Sequence, residues 1–131
     1  STTQSDEVDI SLQADSLTPA KAVFIVPIDF TSFRWYSKRS LYVDYKALFH
    51  QEQFLKEWYQ RIENIYAYGL KERQSGFDIH VFSTSLLEEP TLISTDYWRK
   101  LGITHILSTS PDIKTLNKVY SNETYTIYSL W

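Results

Sequence analysis

Apolar positions along this chain fall into two spacings, and their alternation predicts an α/β domain. Ala22 to Val26 is an unbroken apolar run closed by Pro27, the pattern of a strand buried on both faces, as in a parallel sheet. Leu41 to Tyr45 repeats the strand signal. The roughly dozen residues between the two runs suffice for a right-handed crossover, so the strands are expected to lie side by side and parallel. Within that connection Asp29 or Thr31 can cap a short helix from Phe30 to about Ser37, with Phe30, Phe33 and either Tyr36 or Ser37 facing inward.

The strongest helical pattern runs from Gln51 to Tyr68. Phe54, Leu55, Trp58, Ile62, Ile65 and Tyr66 form one stripe, Glu57 and Arg61 are ordered for an ion pair one turn apart, and Gly69 is a natural stop. A shorter amphipathic helix is expected from Ser5 to Ser16, with Val8, Ile10, Leu12 and Leu17 as its apolar positions and Thr18-Pro19 ending it. Lys71 to Gly76 is a polar surface loop, and Asp78 to Glu89, whose pattern is mixed, is assigned as a short strand or irregular segment. Ser94 or Thr95 caps a helix through Leu101 that stops at Gly102, and Ile103 to Ser108 follows as a third strand. Lys118 to Ser121 and Thr124 to Leu130 flank Asn122-Glu123, which predicts a hairpin with a two-residue connection. The elements sum to an α/β fold: a mixed, mostly parallel sheet of about five strands, flanking helices and a C-terminal β-hairpin.

At 131 residues and 43% apolar content the chain can bury one core, so residues 1–131 are expected to form a single domain. The net charge of −3 comes from interspersed acids and bases, which excludes the basic stripe that nucleic acid requires. Cysteine is absent, so disulfides do not report on compartment. No run of about 18 apolar residues and no signal-peptide pattern occurs. Methionine is also absent, so Ser1 is not an initiator, and the polypeptide is expected to be processed or cut from a longer one. The aromatic content of 16%, dominated by tyrosine, suits a small core of large rings first and a carbohydrate platform second.

Most routes to chemistry are closed. Only three glycines occur, none in a phosphate-cradling spacing, so no nucleotide cofactor is expected. His50, His80 and His105 lie far apart without a ligand motif, and no metal is expected. No G-x-S-x-G elbow is present. Glu88 with Glu89, and Asp6, Glu7 and Asp9, are carboxylates that could serve glycoside hydrolysis. Adjacent acids on a turn seldom face each other, however, and acids at a helix start serve its dipole. Asn122-Glu123-Thr124 matches a glycosylation sequon but is read as turn chemistry. No catalytic residue is assigned. What remains is Asp29, Arg34, Arg39 and Asp44, with Lys46 and His50 nearby, at the expected ends of two neighbouring strands where open α/β sheets bind ligands. These four are the candidate ligand-binding residues, since an arginine fork can hold a carboxylate or phosphate in two-point contact. The alternative is structural: Asp29 caps the helix and the arginines pair with the acids.

The same region carries a resemblance. Thr18-Pro19 with AVFIVP, then Asp29-Phe30, Phe33-Arg34, Ser37-Lys38-Arg39 and Tyr42-Val43-Asp44-Tyr45-Lys46 form its distinctive part. Trp58-Tyr59 with Arg61, Leu101 to Leu107 and the closing VYSNETYTIYSL extend it over nearly the whole chain, while residues 71–89 show no shared pattern. In these features the chain resembles the soluble C-terminal domains of polytopic bacterial membrane proteins of the glycosyltransferase-C type, which include protein mannosyltransferases and oligosaccharyltransferases. The resemblance implies a non-catalytic periplasmic or extracytoplasmic domain, anchored to the inner membrane through its parent protein. Its implied partners are the membrane-embedded remainder of its own chain and a glycan or lipid-linked sugar, with Arg34 and Arg39 as contacts. The alternative function is a free-standing carbohydrate-binding module or small soluble enzyme.

Overall fold

The computed structural model describes residues 2–27, 29–43, 60 and 87–131. Among them are three helices, α1 (Thr3–Leu17), α2 (Phe33–Ser37) and α3 (Leu92–Lys100). Five strands, β1 (Val23–Ile25), β2 (Ser40–Leu41), β3 (His105–Ser108), β4 (Asn117–Ser121) and β5 (Thr126–Ser129), form one sheet in the order β2-β1-β3-β5-β4. The expected mixed α/β fold with a C-terminal hairpin is present. β1 is parallel to both β2 and β3, while β5 runs antiparallel to β3 and β4, so the sheet is parallel at one end only. The predicted helix over residues 51–68 lies outside the described residues apart from Gln60, which is helical. The loop at 71–76 and most of the segment at 78–89 also lie outside them.

Alternation along the strands splits the core into two layers. Phe24, Val26, Leu107 and Ile127 point to the side covered by α1 and α2, where they meet Ile10, Ala14, Phe30, Phe33 and Tyr125. Ile25, Ile106 and Tyr128 point the other way and pack on Trp98, Ile103, Leu87 and Val43. β1 is therefore covered on both faces, as its unbroken apolar run predicts. Rings knit the first layer: Phe24 and Phe33 are 4.9 Å apart between centroids, Phe30 meets Phe33 edge-on at 5.6 Å, and Phe30 reaches Tyr125 at 5.0 Å.

Several element boundaries differ from expectation for local reasons. α1 starts at Thr3 because Thr2 and Ser5 form a reciprocal capping box, and it ends where Thr18 returns both its amide and its hydroxyl to the Ala14 carbonyl. Its buried stripe is Asp6, Ile10, Ser11 and Ala14, whereas Leu12 and Leu17, predicted as apolar positions, are about half exposed. α2 begins only at Phe33 after Ser32, so neither Asp29 nor Thr31 is its cap. In α3 the cap is Thr91, and Ser94 is its partner three residues on. Gly102 then takes φ +87° to turn into β3, a conformation that suits glycine best.

The hairpin connection is four residues rather than two, because β5 begins at Thr126, and the β4 register is irregular between Lys118 and Tyr120. The turn folds on Asn122: its Oδ1 accepts from the Thr124 and Tyr125 amides at 3.0 and 2.8 Å. Its Nδ2 donates to the Asp6 carbonyl and to Asp9 Oδ2, both at 3.0 Å, docking the hairpin on the first turns of α1. Asn122→Ala is expected to lower the unfolding free energy by about 2 kcal/mol, since four contacts lose their partner. Urea denaturation measures this, and a loss under about 0.5 kcal/mol would show that the turn is held by the strands alone.

Candidate functional site

The four candidate residues are not gathered into one pocket. Asp29 is exposed in the turn after β1, and its backbone carbonyl accepts from the Thr31 amide at 3.1 Å. Arg34 is exposed on α2. Arg39 is buried at 6% exposure. Asp44 lies outside the described residues, as do Lys46 and His50.

Arg39 owes its position to the tripeptide Ser37-Lys38-Arg39. Ser37 is fully buried at the end of α2, and its hydroxyl accepts from the Arg39 amide at 3.2 Å. Lys38 takes the left-handed conformation, φ 59°, which reverses the chain and aims the Arg39 side chain at α1. There Nε donates to Thr18 Oγ1 at 3.2 Å, Nη1 to Asp15 Oδ1 at 2.9 Å and the Ser37 carbonyl at 3.2 Å, and Nη2 to the Asp15 and Thr18 carbonyls at 2.6 and 2.9 Å. A guanidinium has five N–H donors, and all are engaged. The cation also sits at the C-terminal end of α1, where carbonyls lack helical partners and the dipole favours positive charge. Arg39 is thus a clamp between α2 and α1, with its guanidinium donors engaged inside the fold.

The acids near the N-terminus are likewise taken up internally. Thr124 Oγ1 donates to Asp6 Oδ2, Tyr120 to Asp9 Oδ2 at 2.8 Å, and Tyr125 to Glu7 Oε1 at 3.3 Å. The hydrogen bond to Asp9 raises the Tyr120 phenol above its ordinary range, and burial followed by the Glu7 charge does the same for Tyr125. Both phenols stay protonated and donate to their carboxylates. These acids hold the hairpin rather than facing each other across a substrate. Glu88, the other carboxylate weighed for hydrolysis, accepts from Thr109 at 2.7 Å.

His105 in β3 is buried and stacks on Phe24, with centroids 5.0 Å apart and planes 16° from parallel. Its Nδ1 lies 2.7 Å from Thr104 Oγ1. Burial first, and the Arg39 charge second, lower its pKa from 6.5. The ring is therefore neutral at pH 7.

What the α2 region offers outward is a different set of residues. Trp35 is 80% exposed and Tyr36 38%, flanked by exposed Arg34 and Lys38. No acid occurs between Asp29 and Asp44. Sequence reasoning passed over Trp35 and Lys38, although the inward spacing of Phe33 and Ser37 already leaves residues 34–36 on the outer side of a one-turn helix.

Residues 5–65 match the model of a domain of unknown function, DUF6798. The match runs through α1, β1, α2 and β2 and so contains every partner of the Arg39 clamp. Its description names no activity and brings no link to glycosyltransferase-C proteins. No curated protein and no solved structure matches the chain.

The clamp yields a contrast between the two arginines. Arg39→Lys is expected to cost about 2–4 kcal/mol, because an ammonium cannot serve five divergent acceptors and leaves buried carbonyls unpaired. Arg34→Ala, at an exposed position, is expected to stay within about 0.5 kcal/mol of the parent stability. Chemical denaturation of both variants checks this, and equal losses would remove the structural distinction between them.

Proposed function

We propose that this chain is a non-catalytic extracytoplasmic domain of a multi-pass membrane protein, one that packs over the membrane-embedded part and helps shape a glycan or lipid-linked sugar site. The observation that carries the proposal is the outer side of α2, where Trp35 is 80% exposed between Arg34 and Lys38. An exposed tryptophan beside cations is the composition that membrane-water interfaces and anionic headgroups favour. Among the described residues the buried arginine and the N-terminal acids are engaged in holding the fold. No described helix is long and apolar enough to cross a membrane; in this reading the anchor belongs to the remainder of the parent protein.

Tagged full-length protein is expected to resist alkaline extraction from membranes, with this domain cut by protease added from the extracytoplasmic side. A full-length gene encoding only this domain behind a cleavable signal, with the product in the soluble fraction, overturns the proposal. Trp35→Ala combined with Lys38→Ala is expected to leave the melting temperature within about 2 °C while weakening association with the membrane part. The exposed Trp35 and Tyr36 also favour a second role, a free-standing carbohydrate-binding module that stacks sugars on these rings. Binding of the chain to a glycan array, abolished by Trp35→Ala, would select that role.

A further inference from the structure

We propose that the end of the sheet where β1, β2, β3 and β4 start is a docking face for anionic lipid headgroups, with the hairpin turn at the opposite end held away from the bilayer. Resting on the membrane-side role proposed above, this orientation names lipid phosphate as what the cations meet. Strand register sorts the charges. Val23 pairs with Ser40, the Thr104 amide donates to the Val23 carbonyl and the Leu130 amide to the Thr104 carbonyl, both at 2.9 Å, and Asn117 lies opposite Ser129. Four strand starts and the close of β5 therefore share one end of the sheet. The described helices end there too, since α1 leads into β1, α2 into β2 and α3 into β3.

This end carries Lys21 before β1, Lys38 before β2, Lys100 before β3 and Lys118 in β4, all exposed. Among the described residues none of the four is ion-paired. Two acids from the helices that end there, Asp15 and Asp96, are held by Arg39 and Arg99 at 2.9 and 2.7 Å. The carbonyls closing α1, which would repel phosphate, are covered by the Arg39 guanidinium. The opposite end is acidic: Asp29 follows β1, Glu88 accepts from Thr109 after β3, Glu123 is in the hairpin turn, and Asp6 and Asp9 dock on that turn. Asp112 lies in the loop that joins the two ends.

Tyr125 and Leu130 mark the two ends, about 17 Å apart along the strand. That exceeds the screening length of about 8 Å at physiological ionic strength, so the acids do not cancel the lysines at a surface. Half-exposed Leu17 and exposed Trp131 lie at the lysine end, where Asn117 Nδ2 donates to the Trp131 carbonyl at 2.8 Å. Lysines around exposed apolar side chains match a headgroup layer, in which rings enter the interface and ammonium groups meet phosphate. Duplex nucleic acid would use the lysines and leave Leu17 and Trp131 in water.

Co-sedimentation of the chain with vesicles of phosphatidylglycerol and phosphatidylcholine in equal parts, against vesicles of phosphatidylcholine alone, tests the face without any membrane-embedded partner. Binding is expected to the first only, and to be lost when salt rises from about 0.1 to about 1 M and the screening length falls to about 3 Å. Lys21→Gln with Lys100→Gln is expected to weaken it about thirtyfold at unchanged melting temperature. Adding Asp29→Asn and Glu123→Gln restores the net charge from the far end and is expected not to restore binding. Quenching of tryptophan fluorescence by brominated lipid is expected to fall on Trp131→Phe. Equal binding to neutral vesicles, recovery in the quadruple variant, unchanged quenching, or binding to double-stranded DNA as tight as to vesicles overturns the proposal. If the full-length protein resists alkaline extraction but the chain binds no vesicles, the lipid face alone is refuted. Vesicle binding by a chain whose full-length protein is in the soluble fraction refutes the anchored domain and supports the lipid face.

Discussion

The side chain of Arg39 joins the ends of two helices that otherwise share only one apolar layer. α2 is a single turn, too short to be stable alone, and α1 presents a mostly small or polar stripe of Asp6, Ile10, Ser11 and Ala14. Neither brings the broad apolar face that usually docks a helix on a sheet. The guanidinium supplies the missing constraint by satisfying the last carbonyls of α1, the end of α2 and the Asp15 carboxylate at once. Its geometry depends on two neighbours with no chemical ambition: a buried serine that accepts the Arg39 amide, and a lysine that tolerates a left-handed conformation.

The opposite end of α1 is held by an independent set of contacts. The hairpin turn, folded on Asn122, brings Tyr120, Thr124 and Tyr125 to the carboxylates of Asp9, Asp6 and Glu7. α1 is thus pinned at its start by the last two strands and at its end by the turn before β2. These pins tie the antiparallel edge of the sheet to the parallel one. The two cross-chain ties also explain why the acid cluster and Arg39, among the most functional-looking charges in the sequence, are occupied in holding the fold. The exposed chemistry is displaced to residues 34–38, where Trp35 and Lys38 face outward.

Much of the architecture was legible because hydrophobic spacing is a local signal. The run Ala22 to Val26, the Gly102 stop and the alternating hairpin each report their own element, and parallel pairing of β1 and β2 followed from the length of their connection. Boundaries were less legible because caps compete: Ser94 reads as a cap, yet in the fold it serves Thr91 as the other half of a capping box. The candidate site was the least legible part. Arg34 and Arg39 look equivalent in sequence, and five residues of separation cannot say which one reaches α1.

The amino-acid sequence by itself determined the fold class, the buried strand β1 and the helix stops, because each depends on residue type and near neighbours. Tertiary structure alone decided the fate of the charges. Asp15 is 24 residues from Arg39, and Asp6 is 118 from Thr124. Contacts at such separations are created by chain reversal and by competition for burial. The same charged residue can hold a fold or meet a ligand, and only its neighbours in space settle which.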